Sequence, residues 1–172
     1  MNQDGPYDVR DVANRLLDMA EAHNINLTVT SLLKLVYFAH GWQLALNQGP
    51  LIGQKFEAWQ HGPVVRVLYD AFKSSSGSII STRAQKFSAE QSAYILANSE
   101  FSTTVEELLE SVLLAYGRYH PFKLSDMTHV PDSPWTSVWE AGERGEAPGM
   151  KISNEKIKAY FLKKNIGDTF FA

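Results

Sequence analysis

The chain contains no cysteine. Disulfides, thiolate zinc sites and thiol nucleophiles are therefore excluded. Long apolar runs are missing as well, and no stretch approaches the roughly 20 residues that a helix needs to span a bilayer. The first six residues, MNQDGP, are polar and carry nothing like the apolar centre of a signal peptide. Nor is there an excess of positive charge: 16 Lys and Arg stand against 19 Asp and Glu, for a net charge of -3. A dedicated nucleic-acid binder needs clustered basic charge to neutralise phosphates, so nucleic acid is not expected as a partner. Internal repeats and low-complexity tracts are absent too. These absences point to a cytoplasmic protein with no membrane partner.

What is present is a good core composition. Hydrophobic residues make up 44% of the 172 positions, which fits one domain over residues 1–172 with a sizeable buried interior. Residues 8–23 carry Val9, Val12, Ala13, Leu16, Leu17 and Ala20 at helical spacing, with Asp8 as cap. A second helix over residues 30–46, capped by Thr28 or Thr30, is apolar nearly all round and belongs in the middle of a core. Gly41 inside it implies either close approach by another backbone or a bend. Residues 55–59 read as a strand, with Leu51 and Ile52 as a further short extended piece. Pro63 suits the first turn of a helix over residues 64–73. That helix would turn Val64, Val65, Val67, Leu68, Ala71 and Phe72 inward and leave Arg66, Tyr69, Asp70 and Lys73 outward.

Ser88 with Gln91, and Thr103 with Glu106, have the spacing of capping boxes and predict helices over residues 89–97 and 104–119. Short helices follow at 124–127 and 134–141, then a polar turn at 142–149 and a strand at 150–152. A last helix, capped by Ser153, runs to about residue 165 with Gly167 at its end. The fold class is mainly α (α+β): a compact bundle of about six helices with a small two- or three-stranded antiparallel sheet near residues 56–59 and 150–152.

Catalytic signatures are missing. There is no Gly-rich phosphate loop, no nucleophile elbow and no His-Glu-x-x-His helix. The histidines, His23, His40, His61, His120 and His129, form no i, i+4 pair, so no metal or other cofactor is expected. Glu57, His61, Asp126 and His129 are acid–base candidates by residue type alone. His61 and His129, beside turns, are expected to bond local backbone. Lys34 interrupts the apolar helix and must either reach solvent or find a carboxylate, with Glu57 and Asp126 as possible partners. Trp42, Trp59 and Trp135 read as core side chains. Arg66, Tyr69, Asp70 and Lys73 are the candidate partner-binding residues, since Tyr and Arg supply much of the energy at binding hot spots.

Three blocks carry a family resemblance. The first is Leu33-Lys34-Leu35-Val36-Tyr37-Phe38-Ala39-His40-Gly41-Trp42, and the second is Phe56-Glu57-Ala58-Trp59-Gln60-His61-Gly62-Pro63-Val64-Val65. The third is Leu124-Ser125-Asp126-Met127-Thr128-His129 with Ser133-Pro134-Trp135. In this order they resemble the Panacea domain, the SocA-like, phage-associated family of antitoxins. The motif positions are Lys34, Tyr37, Gly41, Trp42, Glu57, Trp59, Gly62, Pro63, Thr128, His129, Pro134 and Trp135. His40, where the family often has Gln, and His61, where an aromatic residue is commoner, depart from the pattern. The resemblance implies a toxin–antitoxin partner protein, neutralised by direct binding or delivered to a ClpXP-type protease. It implies no cofactor and no catalysis. The alternatives are an enzyme using the His, Glu and Asp of the motifs, and a DNA-binding autoregulator.

Overall fold

The computed structural model describes residues 5–46, 48–145 and 148–164. Helix α1 (Val9–Ala22) starts where the Asp8 carboxylate accepts the Arg10 amide, and it buries the predicted apolar stripe. Helix α2 (Val29–Ala45) is capped by Thr28, and every residue in it except Thr30 and Ala45 is buried. A sequence with no polar face can satisfy itself only at the centre, and the other elements pack around this helix. Helices α4 (Thr103–Tyr116) and α7 (Asn154–Leu162) cover it together with α1, and α3 (Arg66–Phe72) and α5 (Pro121–Asp126) also touch it. Helix α6 (Pro134–Glu143) leans on the sheet. Buried side chains from Val9 to Phe161 form one contiguous core. Among the described residues no helix is long and apolar enough to cross a membrane.

The main sheet is antiparallel. Strand β1 (Phe56–Trp59) pairs with β2 (Gly62–Val64) on one side and with β5 (Lys151–Ile152) on the other, as expected for the two segments. Its register sets Trp59 opposite Gly62 and Phe56 opposite Ile152. Ile52 makes an isolated bridge with Tyr7. The fold is thus mainly helical α+β, with seven α-helices among the described residues.

Several expectations need correction. Residues 89–97 are not a helix: β3 (Gln85–Ser88) and β4 (Ala93–Leu96) make a separate hairpin. The Ser88 Oγ does accept the Gln91 amide, but in the turn that joins β3 to β4. Pro63 lies in β2, and the helix begins at Arg66 because the β-branched pair Val64–Val65 stays extended. Ala71 is exposed, not inward. Ser102, not Thr103, caps α4, which ends at Tyr116. Helix α5 begins at Pro121, ahead of the expected start, and α6 runs on to Glu143, so the turn after it starts later. Met150 belongs to a 3-10 turn rather than to the strand. Helix α7 stops at Leu162, and Gly167 lies outside the described residues.

Candidate functional site

The three motif blocks meet around Lys34. This side chain is 1% exposed, and its Nζ donates to the Pro63 carbonyl at 3.1 Å. Neither Glu57 nor Asp126 pairs with it, and it does not reach solvent, contrary to the expectations from sequence. With no acid to offset it, burial alone pulls its pKa from 10.5 down to about 7. Gly62 closes over the ammonium at φ +111°, where a Cβ would fall 2.6 Å from Lys34 Cε and 2.7 Å from Thr128 Oγ1. Only glycine combines that dihedral with that approach.

The loop between α5 and α6 completes the enclosure through a chain of hydroxyls. Ser125 Oγ donates to the His61 carbonyl at 3.1 Å, and Thr128 Oγ1 donates to the Ser125 carbonyl at 2.7 Å. Ser133 Oγ donates to the Thr128 carbonyl at 2.7 Å and also caps α6, with Pro134 buried in its first turn. Trp135 Nε1 donates to the Trp59 carbonyl at 2.7 Å, tying α6 to β1. The His129 ring stacks on Trp135 with centroids 3.9 Å apart. Its Nε2 is buried without a hydrogen-bond partner, so it does not bond local backbone as expected. Burial first, then the positive charge of Lys34, push the His129 pKa below its ordinary value. The His61 side chain is exposed.

The Gly62 contact makes a direct prediction. Gly62→Ala should cost about 1–3 kcal/mol in backbone strain and a similar amount in overpacking. The expected result is a lower urea midpoint at unchanged slope.

Above this interior lies a rim built on Trp59, which is half-buried rather than core. Glu57 accepts from Trp59 Nε1 at 2.8 Å and from Arg66 Nη2 at 2.9 Å. Burial raises its pKa, but the Trp59 and Arg66 donors outweigh that and hold the carboxyl below its usual range. The Arg66 guanidinium sits 5.1 Å over the Trp59 ring, and Tyr69 meets the same ring edge-on. Arg66, Asp70 and Lys73 are exposed as expected, whereas Tyr69 is half-buried. Asp70 and Lys73 form a surface ion pair at 2.9 Å, which adds little stability.

Tyr37, Gly41 and Trp42 point elsewhere, toward α7. A Cβ on Gly41 would lie within 2.6 Å of three atoms of the Phe161 ring, so an aromatic side chain fills the notch rather than another backbone. Trp42 and Tyr37 both meet Phe161 edge-on, and Trp42 Nε1 donates to the Tyr116 hydroxyl at 3.2 Å. His40 Nε2 donates to Asn154 Oδ1 and its Nδ1 accepts the Ile52 amide. Burial holds its pKa down at about 4.

Sequence reasoning missed the roles of Ser125, Ser133 and Phe161, and of Asp11 and Asn14, which are buried on α1. Among the described residues no three His, Cys, Asp or Glu side chains are grouped to hold a metal. A cavity of about 550 Å³ between α6 and α7, lined by Ser137, Lys156 and Tyr160, touches the motif blocks at Ser133 and Pro134.

Fold and site together define a helical α+β domain whose motif residues bond chiefly to one another. The chain belongs to the family "Antitoxin SocA-like, Panacea domain", whose model matches residues 32–136. It is similar to Antitoxin SocA of Caulobacter vibrioides (strain NA1000 / CB15N), with 34% identity over 154 residues. That alignment covers 90% of this chain and 82% of the relative. No solved structure matches it.

Proposed function

We propose that this chain is the antitoxin of a toxin–antitoxin pair and neutralises its cognate toxin by direct contact. The observation that carries the reading is the fate of the motif polar groups. Lys34, Ser125 and Trp135 donate to backbone carbonyls of the second motif, and Thr128 and Ser133 to carbonyls within their own, which is how a scaffold is built. A substrate has no route to an ammonium that is 1% exposed, so an enzymatic reading gains no support from this geometry. The similarity to an antitoxin over 90% of the chain points the same way. Co-expression with the toxin, taken as the product of the neighbouring gene, should restore growth, and the two proteins should co-purify. A toxin that kills equally well in its presence, or a rescue without any complex, overturns the reading. Rescue that disappears when a ClpXP-type protease is deleted replaces masking by delivery for degradation.

The rim on Trp59 is the proposed contact face, with Arg66 and Tyr69 as anchors and Asp70 and Lys73 beside them. Trp59 and Glu57 hold Arg66 in place, so less ordering entropy is lost on binding. Because Tyr69 is half-buried, Arg66→Ala with Tyr69→Ala should cost about 1–2 kcal/mol, above the usual surface value of about 0.5. The double variant should remain folded yet lose growth rescue. If it protects fully, this face is not the contact.

A further inference from the structure

The β3–β4 hairpin is firmly mounted on the fold and poorly covered by it. Buried Asn14 clamps its base: Nδ2 donates to the carbonyls of Ala84 and Ala97, and Oδ1 accepts the Ala84 amide. Lys86 reaches across to buried Asp11 at 2.6 Å. These bonds hold the inner face of the hairpin against α1. The outer face is left bare, with Phe87 58%, Tyr94 70% and Leu96 58% exposed. The Phe87 and Tyr94 rings meet edge-on across the strands at 5.6 Å. Gln85 completes the row, which carries no charge.

The edges of this hairpin are open too. It is a two-stranded sheet, and the Ala97 amide donates to the Ala84 carbonyl at 3.0 Å. Alternation along the ladder then turns the main-chain groups of Gln85, Phe87, Tyr94 and Leu96 outward. Among the described residues no hydrogen bond reaches those groups. The apolar row and the open edges therefore belong to the same four residues. Natural sheets usually blunt such edges with charge, proline or a cover.

We propose that this hairpin receives an extended apolar segment of the toxin as a strand added along one edge, its alternate side chains extending the apolar row of Phe87, Tyr94 and Leu96. The inference rests on the neutralisation reading and supplies a second attachment, separate from α3. Size argues for a segment over a second copy of this chain. Strands of four residues run only about 13 Å, whereas a stable protein pair buries about 800 Å² on each partner. Strand addition needs no such area, because main-chain hydrogen bonds supply affinity and alternate side chains supply selectivity. The uncharged row calls for an apolar occupant.

The test compares wild type with the Phe87→Ser, Tyr94→Ser, Leu96→Ser variant in co-expression with the neighbouring gene's toxin, alongside melting curves and amide hydrogen exchange. The variant is expected to melt like wild type, since its changed side chains are exposed, and to lose rescue at least tenfold in viable count. In the wild-type complex, outward amides on one edge, Phe87 or Tyr94 and Leu96, should exchange at least tenfold more slowly than in the free protein. A variant that melts normally and protects fully overturns the proposal, as do edge amides unchanged by the toxin. Should the variant unfold, the wild-type exchange result decides alone. A wild-type dimer abolished by the substitutions would make the occupant a second copy and also overturn it. Wild type that fails to protect removes the neutralisation reading itself, whereas failure confined to the hairpin leaves that reading standing.

Discussion

Trp42→Ala is expected to lower stability by about 3–5 kcal/mol, as removal of a buried indole does. The side chain is 0% exposed, meets Phe161 edge-on and donates to the Tyr116 hydroxyl. Its loss leaves a cavity between α2 and α7 and a buried hydroxyl short of one donor. For a chain of this size each kcal/mol shifts the melting midpoint by about 2–4 °C, so a drop of roughly 6–20 °C should be seen by calorimetry. Trp42→Phe keeps most of the ring and should fall well short of that. A loss below about 1 kcal/mol in the alanine variant would contradict the packing described here. Rescue should fail in this variant because the protein unfolds, in contrast to the Arg66 and Tyr69 double variant, which should stay folded.

Stability is expected to rise as the pH goes from 7 to 9.5, and Lys34→Met should remove most of that rise. The folded pKa of Lys34, about 7, lies below its unfolded value of 10.5. Between those two values the unfolded chain binds the extra proton, so unfolding takes up a proton and raising the pH favours the folded state. The limiting slope is about 1.4 kcal/mol per pH unit, for a gain on the order of 3 kcal/mol across the window. His129 also acts in this neighbourhood, but its pKa is pushed below its ordinary value by burial and by Lys34, away from the window. Staying under pH 10 avoids Tyr37, whose pKa is raised by burial. Urea titrations of both proteins at several pH values give the two profiles, and parallel profiles would contradict a buried, unpaired ammonium. On the acid side, the depressed His40 pKa predicts stability lost as the pH falls from 6.5 toward 4.

The parts of this fold that could be read from the sequence are those set by local chemistry. Asp8, Thr28 and Ser153 cap helices as expected because an N-cap needs only a side-chain oxygen and the next few amides. The central place of α2 followed from its lack of a polar face. The hairpin at residues 85–96 did not emerge, since a Ser with Gln three residues on makes the same first bond in a turn as in a helix. What decides between them is Asn14, about 70 residues earlier, accepting and donating at the hairpin base. The site was legible as a set of positions but not as an arrangement. Lys34 stood out as an anomaly, yet its partner is a main-chain carbonyl, which no inventory of side chains can find. Trp59 likewise reads as core by type, and only the β1 register puts one face of it under Arg66.

The notch at Gly41 has a consequence for how the protein is made. Phe161, which fills it, leaves the ribosome 120 residues after the glycine. At translation speeds of about 5–20 residues per second, that is a delay of roughly 6–24 s. Through this interval the most apolar helix of the chain lacks its α7 cover, and a nascent chain halted before α7 carries an unsealed greasy groove. Such fragments are natural prey for chaperones and proteases. A chain halted before α7 cannot close this groove, however complete the rest of the fold.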